Sequence, residues 1–265
     1  MKLLNLLVVS LIIEIITAQT LSAESIQVIT ERSPFTSSKQ SSIDGGEATE
    51  FVRRVLEQSG LRYELSYQPW KRAYNTALTK KNVLIYPLAR SKPRENMFIW
   101  VGELIPVNYY LVKLKSRTEI QIQTLEDAKN YRIGVVNFHV THEHLIQNEF
   151  KNLQPVNSNI QNLRKTQLER IDLFPISDGG LLSLCKKYDL DCNQFEPVIK
   201  LEEISEGLYL AFSKNTDDAL LKKVDKGFKD LVANGEHASL FNERIEDIRL
   251  YNKIWPQKEQ IPNSP

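Results

Sequence analysis

Glycine is scarce in this chain, 10 residues of 265, against roughly 7% in average proteins. That argues against glycine-rich repeats and leaves each glycine with a local task. Cysteine is scarcer, with Cys185 and Cys192 alone, and two cysteines without nearby partners make a poor metal site. A glycine-rich phosphate loop, a G-x-S-x-G turn, an H-E-x-x-H helix and a C-x-x-C pair are all missing, which removes the commonest nucleotide, hydrolase, zinc-protease and redox motifs. Neither sign of charge prevails: 34 Lys+Arg stand against 33 Asp+Glu, for a net +1. A partner bound through bulk positive charge, nucleic acid above all, is therefore not expected. At 42% hydrophobic and 25% charged residues the composition is that of a globular protein rather than a disordered one.

Long apolar runs are missing too, except at the start. Residues 1–23 open with Lys2, continue through Leu6-Leu7-Val8-Val9 and Leu11-Ile12-Ile13, and end Leu21-Ser22-Ala23. This is the layout of a secretory signal peptide, with cleavage expected after Ala23. The apolar stretch is too short for a comfortable span and is interrupted by Glu14. With no cysteine near the junction a lipid anchor is not expected, so the mature protein should be exported to a periplasm or an equivalent space, without stable membrane insertion. There Cys185 and Cys192, with six residues between them, can close a small disulfide loop; the alternative is two separate buried thiols.

What is present is a regular alternation of patterns. Ile26 to Thr30 alternates as a strand. Ala48, Phe51, Val52, Val55 and Leu56 form a helical stripe that Gly60 can end. Arg62 to Tyr67 alternates again, Trp70, Ala73, Tyr74, Ala77 and Leu78 repeat the helical spacing, and Val83 to Tyr86 suits a buried strand. This β-α-β-α-β order predicts an α/β sheet flanked by helices. Further strands are predicted at 109–114, 132–136, near 171–174 and at 208–213. Further helices are predicted at 141–150, 160–167, after Gly179-Gly180, and from Leu220 to Asn234-Gly235. A short helix capped by Thr124 and Asp127 is also expected, and residues 256–265 read as a polar tail.

Two clusters carry chemistry. His139, His142 and His144 form H-x-x-H-x-H, a spacing that could serve a metal; but His142 and His144 do not share a helix face, and a solvated helix start accounts for them better. No metal and no cofactor is expected. Arg90 and Arg94 follow the strand 83–86, where open α/β sheets bind ligands, and a guanidinium there can hold a carboxylate by two parallel hydrogen bonds. A solvated loop arginine is the other reading.

Three stretches together resemble the extracellular solute-binding proteins of polar amino-acid ABC transporters. They are 70–100 with Arg94, 125–143 with Thr141-His142-Glu143, and 169–235 with Glu169-Arg170-Ile171-Asp172. The resemblance implies a two-lobed, type II periplasmic-binding fold with a two-strand hinge. One lobe would hold residues 24–111 plus 208–265, and an inserted lobe residues 112–207. It further implies a monomer that closes over a small molecule and docks on a membrane permease. Carried over, Arg94 would clamp a ligand carboxylate and Thr141 would open a helix that donates to it; a plain N-cap is the alternative for Thr141. Trp70, Tyr86 and Phe35 are candidate cleft aromatics, with core packing the alternative for Trp70 and Tyr86, and His139 is a candidate on the loop before Thr141.

The pattern is also departed from. The acid that would hold an α-ammonium is replaced by Ser177, with Asp178 beside it. Tyr86-Pro87-Leu88-Ala89 and Asn137-Phe138-His139-Val140 replace hydroxyl-rich and small residues. The leading expectation is thus a non-enzymatic receptor for a small carboxylate-bearing molecule that feeds an ABC importer. The alternatives are a ligand sensor for a membrane signalling protein, and a lyase or metal-dependent enzyme drawing on Glu103, Asp178 or the histidines.

Overall fold

The computed structural model describes residues 25–33, 35–36, 45–204 and 207–254. The expected signal peptide, residues 1–23, and the tail 256–265 lie outside the described residues.

The first sheet grows from the alternation read above. Strand β1 (Ser25–Thr30) pairs in parallel with β2 (Arg62–Tyr67) and with β3 (Val83–Ala89). Helices α1 (Glu47–Gln58) and α2 (Trp70–Thr79) make the crossovers. Every residue of β3 is buried, as its unbroken apolar run requires of a central parallel strand. Helix α1 buries Phe51, Val52, Val55 and Leu56, and Gly60 leaves it at φ +64°, a conformation cheap only for glycine. Strand β4 (Phe98–Ile105) sits at the edge. Strand β10 (Leu208–Ser213) returns from more than a hundred residues later to lie antiparallel between β3 and β4. The order is β2-β1-β3-β10-β4.

Strand β5 (Tyr109–Leu114) opens the second half. It pairs antiparallel with β8 (Phe174–Ser177) and β9 (Phe195–Lys200). Beside them β6 (Ile133–Val136) and β7 (Leu153–Val156) pair in parallel, and a single bridge from Ile133 to Leu173 joins the two groups. Helices α3 (Val140–Gln147), α4 (Asn159–Gln167) and α5 (Asp178–Tyr188) flank these strands. The chain therefore leaves the five-stranded sheet once, after Ile105, and returns to it once, after Lys200. Helices α6 (Asp218–Ala233) and α7 (Glu236–Ile254) end the described chain, with α7 packed on α1, α6 and α5.

Three boundaries differ from those expected. The strand near 171–174 begins at Phe174, because Asp172 is drawn aside: its carboxylate accepts from the Arg132 backbone N–H at 2.9 Å and from the Arg132 guanidinium at 2.7 Å. Gly179 and Gly180 lie inside the first turn of α5 rather than before it. There Ser177 Oγ accepts from the Gly180 N–H at 3.1 Å, and a Cβ on Gly180 would stand 2.6 Å from that oxygen. Helix α3 starts at Val140 and stops at Gln147, with Glu149 at φ +62°. Helix α7 was not foreseen; its buried contact is Phe241, whose ring lies 5.9 Å from Phe51. Cys185 and Cys192 are disulfide-bonded, with Cα atoms 5.6 Å apart.

Candidate functional site

A cavity of about 220 Å³ lies between the two sheets. Its walls come from the carboxyl ends of β1 and β3, the start of α2, the first residues of β5, the loop before α3, the start of α4 and the inner face of α5. This is where strand ends leave room in open α/β sheets.

Five of the expected residues meet there. Phe35, Trp70, Arg94, His139 and Ser177 all line the cavity. Trp70 stands at the first position of α2 and donates Nε1–H to the Phe138 carbonyl at 2.8 Å. Arg94 ends a short 3-10 turn after β3 and is 1% exposed. Its Nε donates to Glu143 Oε2 at 2.9 Å, its Nη1 to the Ala89 carbonyl at 3.2 Å and its Nη2 to the Phe138 carbonyl at 3.3 Å. The guanidinium also faces the Tyr74 ring at 4.7 Å. His139 caps α3, and its Nδ1 lies 3.0 Å from Thr141 Oγ1. Desolvation, with smaller contributions from Arg94 and His142, pushes the His139 imidazole down to about 3, so it is neutral at ordinary pH.

Four expected residues stand apart. Tyr86 is fully buried in the first sheet and donates its hydroxyl to Thr49 Oγ1 at 3.1 Å. Arg90 pairs with Glu95 at 2.6 Å and lies 5.3 Å from the Trp100 and Tyr209 rings. Thr141 is 1% exposed behind His139. Asp178 is buried at the start of α5, where its carboxylate accepts from Asn108 Nδ2 at 3.1 Å and from the Gly179 N–H at 2.8 Å. Glu103 lies against Gly207, away from the cavity. The three histidines part company, His144 turning towards Glu203 at 3.7 Å. Among the described residues no group of three or more His, Cys, Asp or Glu is placed to hold a metal ion.

The residue most clearly missed is Glu31. It follows β1 directly, lines the cavity and keeps part of its surface accessible there. Desolvation pushes its carboxyl up to about 7, and among the described residues no cation offsets that. Tyr109, at the start of β5, was read as strand and also faces the cavity; burial raises its phenol, with Arg94, Asp178 and Glu31 close enough to act on it. The signal for Glu31 was available: it is the first charged residue past the carboxyl end of a predicted strand, as Arg90 is past β3.

No protein-family model matches the chain, and no curated protein does. Solved structures do. A histidine kinase sensor domain with similarity to periplasmic binding proteins superposes with a TM-score of 0.72 at 16% identity, covering 83% of this chain and 95% of that one. The arginine-, lysine-, histidine-binding protein ArtJ from Geobacillus stearothermophilus gives 0.69 at 15% identity, covering 83% and 94%. The substrate-binding protein of an amino acid ABC transporter gives 0.67 at 17% identity, covering 84% and 100%. This chain has the two-lobed type II periplasmic-binding-protein fold. In that fold the cavity is the cleft between lobes. Arg94 and Trp70 stand on the lobe of the first sheet, and Phe138, His139 and Glu143 on the lobe of the second. Among the described residues no helix is long and apolar enough to cross a membrane.

Proposed function

We propose that this protein is a non-enzymatic, exported receptor that captures a small molecule between its lobes and presents it to an ABC importer. The lobes on this reading are residues 24–111 plus 208–265 and residues 112–207, with the difference that all of β5, from Tyr109, pairs with the strands of the second lobe. The observation that carries the reading is the cleft cavity, with the uncompensated Glu31 carboxyl on one wall and aromatic rings of Phe35, Trp70 and Tyr109 around it. A volume of about 220 Å³ lies below the roughly 300–1,000 Å³ of sites for drug-sized ligands. It suits a molecule of amino-acid size. Glu31 calls for a cationic group on that molecule, an amino acid or a related amine. Binding both lobes at once favours the closed state by the ligand's differential affinity for it.

Thermal unfolding against a panel of amino acids, amines, organic acids and sugars tests this. A ligand at a hundred times its Kd adds about 2.7 kcal/mol, which raises Tm by roughly 5–10 °C. A response to cationic members that Glu31→Gln abolishes supports the reading, and a response confined to sugars or to organic acids removes it.

A second reading, a ligand sensor for a membrane signalling protein, is favoured by two observations. A histidine kinase sensor domain shares the fold over 83% of this chain, and Arg94 and Trp70 reach from one half of the chain to the other beside the cavity. Permease and ATPase genes beside this one would decide for import, and a receptor gene with cytoplasmic signalling domains for sensing.

A further inference from the structure

Three hydrogen bonds between the lobes converge on the loop before α3 and the first turn of that helix. Glu143 accepts from Arg94 Nε, and the Phe138 carbonyl accepts from both Arg94 Nη2 and Trp70 Nε1. Lys71 Nζ lies 4.7 Å above the Phe138 ring. Phe138 itself has φ +60°, a conformation that a bulky residue keeps only where its surroundings over-determine it. It aims the carbonyl at two donors of the opposite lobe.

Arg94 is thereby spent. Each of its three nitrogens donates to the protein, its charge is met by a carboxylate at 2.9 Å, and 1% of its surface is accessible. A guanidinium holds an incoming carboxylate through two parallel N–H groups and an unmatched charge. On Arg94 the charge is already matched by Glu143, and three of its five N–H groups donate to the protein. Glu143 keeps 27% of its side chain accessible, and a ligand carboxylate would have to compete with it for the guanidinium.

We propose that Glu143 is a resident carboxylate that pairs with Arg94 across the lobes and so disfavours α-carboxylates at that end of the cleft. It is then a specificity-determining residue. The ligand class narrows to cationic amines that lack an α-carboxylate, met by Glu31 and the cleft aromatics. The choice of ligand class rests on the receptor reading above; the joining of the lobes does not.

Two measurements on the mature protein test it. The first is small-angle scattering without added ligand. Glu143→Ala and the isosteric Glu143→Gln should both show a larger radius of gyration than the wild type, and equal radii would overturn the proposal. The second is titration calorimetry with matched pairs that differ by one carboxylate: L-arginine and agmatine, L-ornithine and putrescine, L-lysine and cadaverine. The wild type should prefer the amine, and Glu143→Ala should shift that preference towards the amino acid by roughly ten- to a hundredfold, the scale of one charge-assisted hydrogen bond. A wild type that prefers the amino acid, or variants with an unchanged preference, would also overturn it. If no pair member binds while the variants still expand, the receptor reading for amines falls and the resident carboxylate stands. If Glu143→Ala does not fold, Glu143→Gln carries both measurements, since it keeps the size and an acceptor while losing the charge.

Discussion

Arg94 and Glu31 stand on the walls of the same cavity, and each follows the end of a strand of the same sheet, yet their situations are opposite. Arg94 is buried and spent on Glu143, Ala89 and Phe138. Glu31 is desolvated with no cation among the described residues to offset it, and its pKa is raised by that desolvation. The difference teaches what each charge is for. A buried charge with its partners supplied by the protein holds parts together, and its partner cannot be removed cheaply. A desolvated charge without a partner is a standing cost that a ligand can relieve.

The sharpest way to break this comparison is to delete each charge. Arg94→Ala removes the guanidinium that pairs with Glu143 and one of the two donors to the Phe138 carbonyl and should lower stability by about 3 kcal/mol, read as a reduced urea midpoint with unchanged slope. Glu31→Gln should have the opposite sign above neutral pH. Because the folded pKa of Glu31, about 7, exceeds its ordinary value of 4.5, the native state binds the extra proton between those values. The stability it contributes is complete below about pH 4.5 and is lost as pH rises to about 7. The loss amounts to at most about 3 kcal/mol. Glu31→Gln should abolish that decline and be the more stable protein at pH 8; equal stabilities at pH 8 would remove the case for an uncompensated acid.

His139 supplies a smaller effect of the reverse sign. Its folded pKa is depressed to about 3 from 6.5, so the unfolded chain takes up the proton first and stability falls as pH drops below 6.5. Between pH 6.5 and 5 the loss is about 2 kcal/mol. His139→Asn, which can keep the helix cap, should remove it. In the wild type the two slopes oppose each other between about pH 4.5 and 6.5. Urea titrations across that window should therefore be nearly flat, rising with pH in Glu31→Gln and falling with pH in His139→Asn. Smallest is Trp70→Phe, which keeps the ring and loses the hydrogen bond to Phe138. It should cost about 1 kcal/mol and leave the pH profile unchanged, so a change in profile would tie the joined lobes to one of the titrating groups.

Much of the fold was legible. The stripe of α1, the unbroken apolar run of β3 and the alternation of β2 each report a local period, and a local period survives any tertiary arrangement. The positions of Phe35, Trp70, Arg94, His139 and Ser177 at the cavity were legible for a related reason: each stands at or just beyond the end of a predicted element. Asp178 was not, because the difference between cleft and core at the start of α5 is set by Asn108, seventy residues away. The strand near residue 171 was misplaced because Asp172 answers to Arg132, forty residues earlier. Helix α7 has no clean apolar stripe to read, its buried face being carried by a few residues such as Phe241.

The sequence by itself determined the element order, the α/β class and which residues stand at strand ends, because these depend on patterns within about twenty neighbours. It also determined that the site would be charged locally in a chain of net +1. Only the tertiary structure decided what those charges do. Glu143 lies 49 residues from Arg94 and on the other lobe, and nothing in either neighbourhood announces the pair. Glu31 and Arg94 carry equal and opposite formal charge in the sequence. Folding pairs one of them with Glu143 and desolvates the other, because desolvation and pairing are properties of the packed interior and not of the chain.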